Sequence, residues 1–261
     1  SPLTFSFSSN AVITVDSQSS NLGLSVFVLP TSLSSIKPNF IPTTGSTLVS
    51  VFGQGLLLSG RMKLGHSSNL ISMWFSHSSI VSRSSVGTSS FLLVSASNSA
   101  IVNSLTQRLS YFVPIISGVN PANSAKNGSI IVTVFGSSFG VTDSTPKLRF
   151  THTRCHPSHW TSDSSLSCKV PAGNEASVNV IASVELLVGI STRMFTFDAP
   201  IISAVSNDHL SSTGSNVMNV FGKEFSFEDR TPSSKMAVSS TQITQWLSDS
   251  SLRVKLSSGL G

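Results

Sequence analysis

The sequence predicts an all-β protein made of tandem β-sandwiches, with essentially no helix. The first observation behind this prediction is a repeat: Trp74, Trp160 and Trp246 are spaced 86 residues apart. A repeat of this length indicates that one small domain recurs along the chain. The second observation is that apolar residues alternate with Ser and Thr over short segments, which is the period of a β-strand. No segment shows a convincing helical period.

The composition favours the same class. Only 10% of the residues are charged, against about 25% in an average globular protein. Roughly a fifth to a quarter of the chain is serine. Hydrophobic residues still make up 39% of the chain, so apolar faces exist and the protein is not a disordered serine tract.

The net charge is +5, but most basic residues are scattered singly along the chain. The basic residues that lie closest together are Arg61 with Lys63, Lys147 with Arg149, and Arg253 with Lys255. The members of each pair are two positions apart, as on the solvent-facing side of a strand. Nucleic-acid binding requires a clustered basic patch, so no nucleic-acid partner is predicted. The sequence has no apolar run of about 20 residues, so this segment is not predicted to insert into a membrane.

Residues 1–30 predict N-terminal strands that belong to no complete repeat. Leu3, Phe5 and Phe7 alternate with polar residues, which indicates a loose strand. Ala11–Val15 and Gly23–Leu29 are two further strands, joined by a polar turn of Ser, Gln and Asn.

Three repeats follow, at residues 31–113, 114–200 and 201–261. In each repeat a strand reaches a Phe-Gly pair, whose glycines are Gly53, Gly136 and Gly222. We interpret these glycines as positions that adopt an unusual backbone angle. About seven short strands with a turn every 8–12 residues predict an immunoglobulin-like sandwich. The strands predicted in the second repeat include Ile130–Phe135, Lys147–Phe150, Leu166–Val170, Ser177–Ser183 and Arg193–Phe197.

The second repeat resembles the IPT/TIG domain. The residues that carry the resemblance are Pro114–Pro121, the Gly128-Ser129 turn, Val134–Phe139, the pair Cys155 and Cys168, and Pro171–Gly173. The likeness covers about residues 31–261, although it is weaker in the first repeat. It implies an immunoglobulin-like sandwich and a protein of the cell surface or extracellular space, and it leaves the function open because one fold serves many functions.

Cys155 and Cys168 suit either a disulfide or, with His152, His156 and His159, a zinc site. Both cysteines are replaced together in the other two repeats, as expected for a bonded pair. We therefore predict a disulfide, no metal ligands and an oxidising compartment. The short closed loop would add about 3 kcal/mol of stability in the loop-entropy model.

The three repeated tryptophans are interpreted as structural wedges at the rim of each sandwich, with exposed sugar-stacking platforms as the alternative. Asp163 and Asp249 lie in Ser-Asp-Ser-Ser turns. We expect their carboxylates to accept backbone hydrogen bonds and to hold those turns.

No catalytic, cofactor-binding or metal-binding residue is predicted, and the protein is not expected to be an enzyme or to need a cofactor. The chain has no Gly-x-Ser-x-Gly motif, metal-binding helix motif or phosphate loop, and the two repeated aspartates have no recurring partner. Asn127, in Asn127-Gly128-Ser129, is the single Asn-x-Ser/Thr sequence. It suits either a plain Asn-Gly turn or an N-linked glycan.

The third repeat stops at Gly261, before the equivalents of the last two strands of the second repeat. Residues 9–30 look like those two strands without a domain in front of them. One explanation is that the chain is a window of a longer array. The other is strand exchange, in which the strand of Leu3, Phe5 and Phe7 in one copy completes the third repeat of another.

The main functional prediction is therefore a non-enzymatic structural subunit of an extracellular filament or surface appendage. Copies of the chain would join head to tail, since an exchanged strand builds an open polymer unless its rotation closes. The alternative is an adhesin or receptor ectodomain that binds glycans or surface proteins.

Overall fold

The computed structural model describes residues 11–15, 18–22, 31–56, 61–65, 67–68, 72–98, 101–206, 211, 213–236 and 239–258. Within these ranges the chain forms 26 strands and no helix, which confirms the predicted fold class. It follows that no described segment is a helix long and apolar enough to cross a bilayer. The contacts divide the chain into two compact units, Ser1–Phe112 and Val113–Gly261.

The first unit begins with a hairpin of β1 (Ala11–Val15) and β2 (Gln18–Leu22), which pair only with each other. The predicted strand Ala11–Val15 is confirmed. The polar turn expected after it is wrong over Gln18–Leu22, because these residues pair in register with β1. The strands predicted at residues 3–7 and 23–29 lie outside the described residues.

Two further sheets form from the other described residues of the first unit. Their strands are β3 (Ser32–Lys37), β4 (Phe40–Ile41), β5 (Leu48–Gln54), β6 (Arg61–Leu64), β7 (Ser67–Ser68), β8 (Ser72–Ser76), β9 (Ser79–Arg83), β10 (Leu92–Asn98) and β11 (Ile101–Tyr111). One sheet has the order β3-β5-β9-β8 and the other has the order β4-β11-β10-β6-β7. Both sheets contribute fully buried side chains, such as Val51 and Val94.

The second unit contains a complete sandwich, called the second sandwich below. Its strands are β12 (Ile115–Asn120), β13 (Asn123–Ser124), β14 (Ile131–Ser137), β15 (Lys147–Phe150), β16 (Thr153–Arg154), β17 (Ser158–Ser162), β18 (Ser165–Lys169), β19 (Val178–Val184) and β20 (Leu187–Phe197). The two sheets have the orders β12-β14-β18-β17 and β13-β20-β19-β15-β16. This is the same arrangement as in the first unit, including the parallel pairing of the two-residue strand with the long last strand.

The core of the second sandwich follows from the alternation of its strands. Val132 and Val134 of β14 are fully buried, whereas Ile131 before them and Phe135 after them are exposed. The facing sheet contributes buried residues such as Phe195 to the same cluster. Burying each such side chain stabilises the fold by about 1.5–3 kcal/mol.

The second unit continues with a third set of strands, called the C-terminal sheets below. They are β21 (Ile201–Val205), β22 (Val217–Lys223), β23 (Lys235–Met236), β24 (Ser239–Ser240), β25 (Ile243–Ser248) and β26 (Ser251–Lys255). The larger sheet has the order β21-β22-β26-β25, which matches β12-β14-β18-β17. The other sheet consists of β23 and β24 alone, so much less of the apolar face of the larger sheet is covered.

Candidate functional site

The apolar face of the larger C-terminal sheet borders an open groove of about 520 Å³. Its apolar lining consists of Ile202, Val205, Met218, Val220, Phe225, Met236, Leu252 and Val254. Its polar lining includes two lysines and one arginine but no carboxylate, histidine or cysteine among the described residues. The arrangement therefore suits contact with an apolar, extended partner.

Exposure shows how open this groove is. Ile202 is 67% exposed, whereas Ile116, which holds the same place in the second sandwich, is 7% exposed. The difference has a structural cause, since β20 lies against β12 in the second sandwich, and no strand in the described part of the C-terminal sheets takes that position. Exposed apolar area of this kind is unfavourable in water and marks interaction sites.

One wall of the groove is fixed to the second sandwich through Lys126, which is buried. The Lys126 backbone N–H donates to Glu224 Oε2 at 2.7 Å, and its Nζ donates to the Glu224 carbonyl. Charge-assisted hydrogen bonds of this kind are among the stronger ones in proteins. They hold the loop after β22 against the turn before β14, and nothing in the sequence pattern pointed to this pair.

The three tryptophans share one contact. Trp160 Nε1 donates to the Gly140 carbonyl at 3.0 Å, Trp74 Nε1 to the Leu56 carbonyl at 2.9 Å, and Trp246 Nε1 to the Ser226 carbonyl at 3.3 Å. Each ring is half-buried, and Trp160 and Trp246 pack on their cores. The tryptophans lie in the strands β8, β17 and β25, just before the turn that follows each strand.

The aspartates accept backbone hydrogen bonds from the loop that follows the Phe-Gly strand. Asp163 Oδ1 accepts from the Gly140 N–H at 2.8 Å, and Asp249 Oδ1 accepts from the Ser226 N–H at 3.1 Å. Both donors lie in the loop that follows the Phe-Gly strand. The turn itself is held by serine, because Ser162 Oγ accepts from the Ser164 N–H at 3.2 Å. The carboxylates thus bind the neighbouring loop and hold it against the turn that carries them.

The interpretation of Gly53, Gly136 and Gly222 as positions of unusual backbone angle is also wrong. None of the three has a positive φ, and the strands β5, β14 and β22 continue through them. A Cβ at these positions would instead overlap the carbonyl oxygens of Ser32, Ile115 and Ile201, respectively. Glycine is required here because the first strand of each sheet approaches too closely for a side chain.

Cys155 and Cys168 form a disulfide inside the second sandwich, with a Cα–Cα distance of 5.9 Å. Both residues are almost completely buried. No group of three or more metal-binding side chains occurs in the described part of the chain, so the structure does not gather the three nearby histidines around the cysteines. Asn127 is exposed in its turn, where Gly128 has a φ of 65°, and its glycosylation stays a prediction.

The structure places the repeated tryptophans and aspartates in contacts that hold the loop after each Phe-Gly strand, and it leaves an apolar groove open on the C-terminal sheets. Sequence analysis missed the lining residues Ile202 and Val205. A signal existed, because both have equivalents in β12, but alternation alone does not show which face of a sheet is uncovered. The predicted donor residues Leu3, Phe5 and Phe7 lie outside the described residues.

Comparison with known proteins identifies one domain. Residues 114–199 match the family model of the IPT/TIG domain. No curated protein matches the chain.

Similar solved structures include the extracellular region of plexin A4, with 16% identity over 89% of this chain and a TM-score of 0.34. A surface glycan-binding protein from Prevotella bryantii shares 8% identity over 84% of the chain, with a TM-score of 0.41. Invasin, a bacterial integrin-binding protein, shares 12% identity over 89%, with a TM-score of 0.32. The chain covers 21%, 61% and 55% of these three structures, respectively. Scores at this level carry no argument about function.

Proposed function

We propose, for a chain that carries an IPT/TIG domain at residues 114–199, that it is a non-enzymatic structural subunit of an extracellular assembly. In this assembly the N-terminal strand of one copy enters the groove of the C-terminal sheets of the next copy. Copies then join head to tail. The proposed parts are the N-terminal strands (1–30), two complete sandwiches (31–113 and 114–200) and an open one (201–261).

The groove is the observation that carries the proposal. Its floor is the apolar face of β21, β22 and β26, and its described lining is free of carboxylates. An added strand would satisfy backbone groups at the open edge and bury the apolar floor, which is how strand addition gains affinity.

The N-terminal segment is the occupant that fits this groove. Leu3, Phe5 and Phe7 alternate with polar residues, so one face of an extended strand presents three large apolar side chains. The hairpin β1–β2 next to this segment pairs with no other described strand. An isolated two-stranded hairpin is marginal in water, and joining another sheet would stabilise it.

An extracellular setting supports the same proposal. The disulfide requires an oxidising compartment to form and persist. A surface glycan on Asn127 is compatible with this setting, because the side chain is exposed.

Sedimentation velocity over a concentration series tests the assembly. The intact chain is expected to form species that lengthen with concentration. Phe5→Asp should inactivate the donor and Ile202→Asp the acceptor, because each places a carboxylate against the apolar floor of the groove, where it loses its hydration. Each variant alone should therefore stay monomeric.

Two controls make the test specific. Ile201→Asp changes the adjacent residue, which is also exposed but is not part of the groove lining, and this variant should assemble normally. A mixture of Phe5→Asp and Ile202→Asp retains one good donor and one good acceptor, so it should form dimers and nothing longer. An intact chain that remains monomeric at every concentration would contradict strand exchange and favour the adhesin or receptor alternative.

A further inference from the structure

The second sandwich carries a small basic cleft, defined here by Lys147, Arg149, Arg154 and His156. A cavity of about 220 Å³ lies between the start of β15 and the segment after β16, and Lys147, Arg154 and His156 line it. Arg149 lies directly opposite Arg154 in the pairing of β15 with β16. All four side chains are exposed.

Two like charges placed opposite each other on a sheet repel and destabilise the pair. The other two sets of sheets avoid this arrangement, since Lys63 lies opposite Ser68 and Lys235 lies opposite Ser240. Arg149 and Arg154 have no ion pair with any other described residue. The second sandwich therefore concentrates positive charge at a position where its neighbours use serine.

The cleft is also fixed in shape. Cys155, between Arg154 and His156, is tied to Cys168 by the disulfide, and its N–H donates to the Leu148 carbonyl at 3.0 Å. The Ser158 hydroxyl donates to the Cys155 carbonyl at 3.1 Å. This segment is thus held against β15 before any ligand arrives, which reduces the entropic cost of binding.

One carboxylate, Asp143, also lines the cavity. Its Oδ1 accepts from the Thr145 N–H at 2.8 Å, so this oxygen is already engaged with the backbone. Against this single negative charge stand the three cations Lys147, Arg149 and Arg154. The net charge of the cleft is therefore positive, which favours an anionic ligand.

We propose that this cleft binds the sulfate or carboxylate groups of an acidic polysaccharide. The cavity is smaller than the roughly 300–1,000 Å³ of a pocket that encloses a whole small molecule. It suits one anionic group, with Arg149 placed to meet a second group along the same polymer. Arginine forms paired hydrogen bonds with such planar or tetrahedral anions.

A nucleic acid fits this cleft less well. Single-stranded nucleic acids are bound by aromatic side chains that stack on the bases, and the described lining contains no Phe, Tyr or Trp. Double-stranded DNA is bound through phosphate contacts spread along a longer surface. The disulfide also indicates an oxidising compartment rather than the cytosol or the nucleus.

Titration of the full chain with heparin at low ionic strength tests the proposal. Arg154→Ser introduces the residue that the other two sets of sheets already have at this position, so the fold should tolerate it. We expect this variant to bind heparin about fivefold more weakly, the effect of losing one exposed ion pair. Its thermal unfolding temperature should stay the same or rise, because the like-charged pair is gone.

Arg253→Ser is the matched control, because it removes one exposed cation from β26, far from the cleft in sequence. It should change heparin affinity less than twofold if binding is local. Polygalacturonate, which carries carboxylates alone, distinguishes the two anions: binding to both polymers identifies carboxylate as sufficient, and binding to heparin alone identifies sulfate. The proposal is overturned if neither polymer binds, if both variants weaken binding equally, or if single-stranded DNA of equal charge binds as tightly.

Discussion

Gly53, Gly136 and Gly222 occupy one place in their sheets, each against a carbonyl oxygen of the neighbouring first strand. At Gly136 a side chain would also meet the ring of Phe139, which is fully buried. These glycines therefore set how closely two strands approach. A glycine recurs at this place in each repeat because two strands pack closely there, and not because the backbone turns.

Gly136→Ala is expected to destabilise the protein by at least about 3 kcal/mol, because β12 must move away from β14 to admit the methyl group. Gly118→Ala is the matched control in the same sheet, since a Cβ there would meet nothing within 4 Å. It should cost less than about 1 kcal/mol. Urea unfolding followed by tryptophan fluorescence measures both, and equal losses would contradict the close-approach explanation.

Tyr111 gives the first unit a measurable dependence on pH. The residue is buried and its hydroxyl donates to the Ser85 carbonyl at 2.8 Å. Burial raises the pKa of the Tyr111 phenol above its usual value of about 10. The folded state therefore favours the neutral phenol, and the unfolded chain loses its proton at a lower pH.

The first unit should accordingly keep this stability below the unfolded pKa of about 10 and lose it as the pH rises through the folded value. Tyr111 is the chain's single tyrosine, so the near-ultraviolet absorbance of phenolate reports this residue alone. A titration midpoint of the folded protein at or below the usual value would refute the account. Tyr111→Phe should remove the dependence and cost about 1 kcal/mol at neutral pH through the lost hydrogen bond.

At the scale of the element, each tryptophan strand and its following turn fasten the loop that leaves the Phe-Gly strand. In the second sandwich Trp160 binds the Gly140 carbonyl and Asp163 binds the Gly140 N–H. The backbone N–H and carbonyl of Gly140 are thus both hydrogen-bonded, one to the turn after β17 and the other to β17 itself. In the first unit His77 replaces the aspartate, while Trp74 and the backbone bond from Leu56 to His77 remain.

Asp163→Ala should cost about 1–2 kcal/mol, because it leaves the partly buried Gly140 N–H without its charged acceptor. Asp143→Ala is the comparison, since that carboxylate is exposed and bonds an amide two residues away. The comparison should cost less than about 0.5 kcal/mol. Calorimetric unfolding measures the stability of both variants. An Asp163→Ala protein as stable as the comparison variant would show that the bond from Gly140 to Asp163 does not stabilise the fold.

The elements were predictable where one face of a strand is buried. Lys147–Phe150 is found with the expected bounds, and the predicted strand Ser177–Ser183 is found one residue later, at Val178–Val184. Alternation identifies such strands because burial imposes a period of two. The strand β17 was not anticipated, since its polar residues belong to a sheet edge where water replaces one neighbour.

Contacts between residues that are far apart in the sequence could not be predicted from it. The bonds from Lys126 to Glu224 join residues 98 positions apart, and no local pattern encodes such a distance. The same holds for the basic cleft, where Arg154 meets Arg149 only through the pairing of β15 with β16. In sequence these cations are separated by buried and neutral residues.

At the scale of the whole molecule, the second sandwich buries its core between two sheets. The C-terminal sheets, by contrast, leave an apolar groove open. The two share the same sheet order and register, as the equivalent pairs Val134 with Leu166 and Val220 with Leu252 show. What opens the groove is the smaller covering sheet, which consists of β23 and β24 in the described part of the C-terminal sheets. An acceptor of this form, together with an apolar N-terminal segment, is the basis of the proposed head-to-tail assembly.

An engineered cross-link between donor and acceptor tests this central claim most directly. The chain carries Phe5→Cys and Ile202→Cys together, is oxidised, and is separated on a non-reducing gel. Because the described cysteines are already paired, the new thiols are the ones available to react. The account predicts a ladder of covalent multimers, and it predicts none when Ile201→Cys replaces Ile202→Cys. Monomer alone, or the same ladder from the Ile201 variant, would contradict strand exchange at this groove.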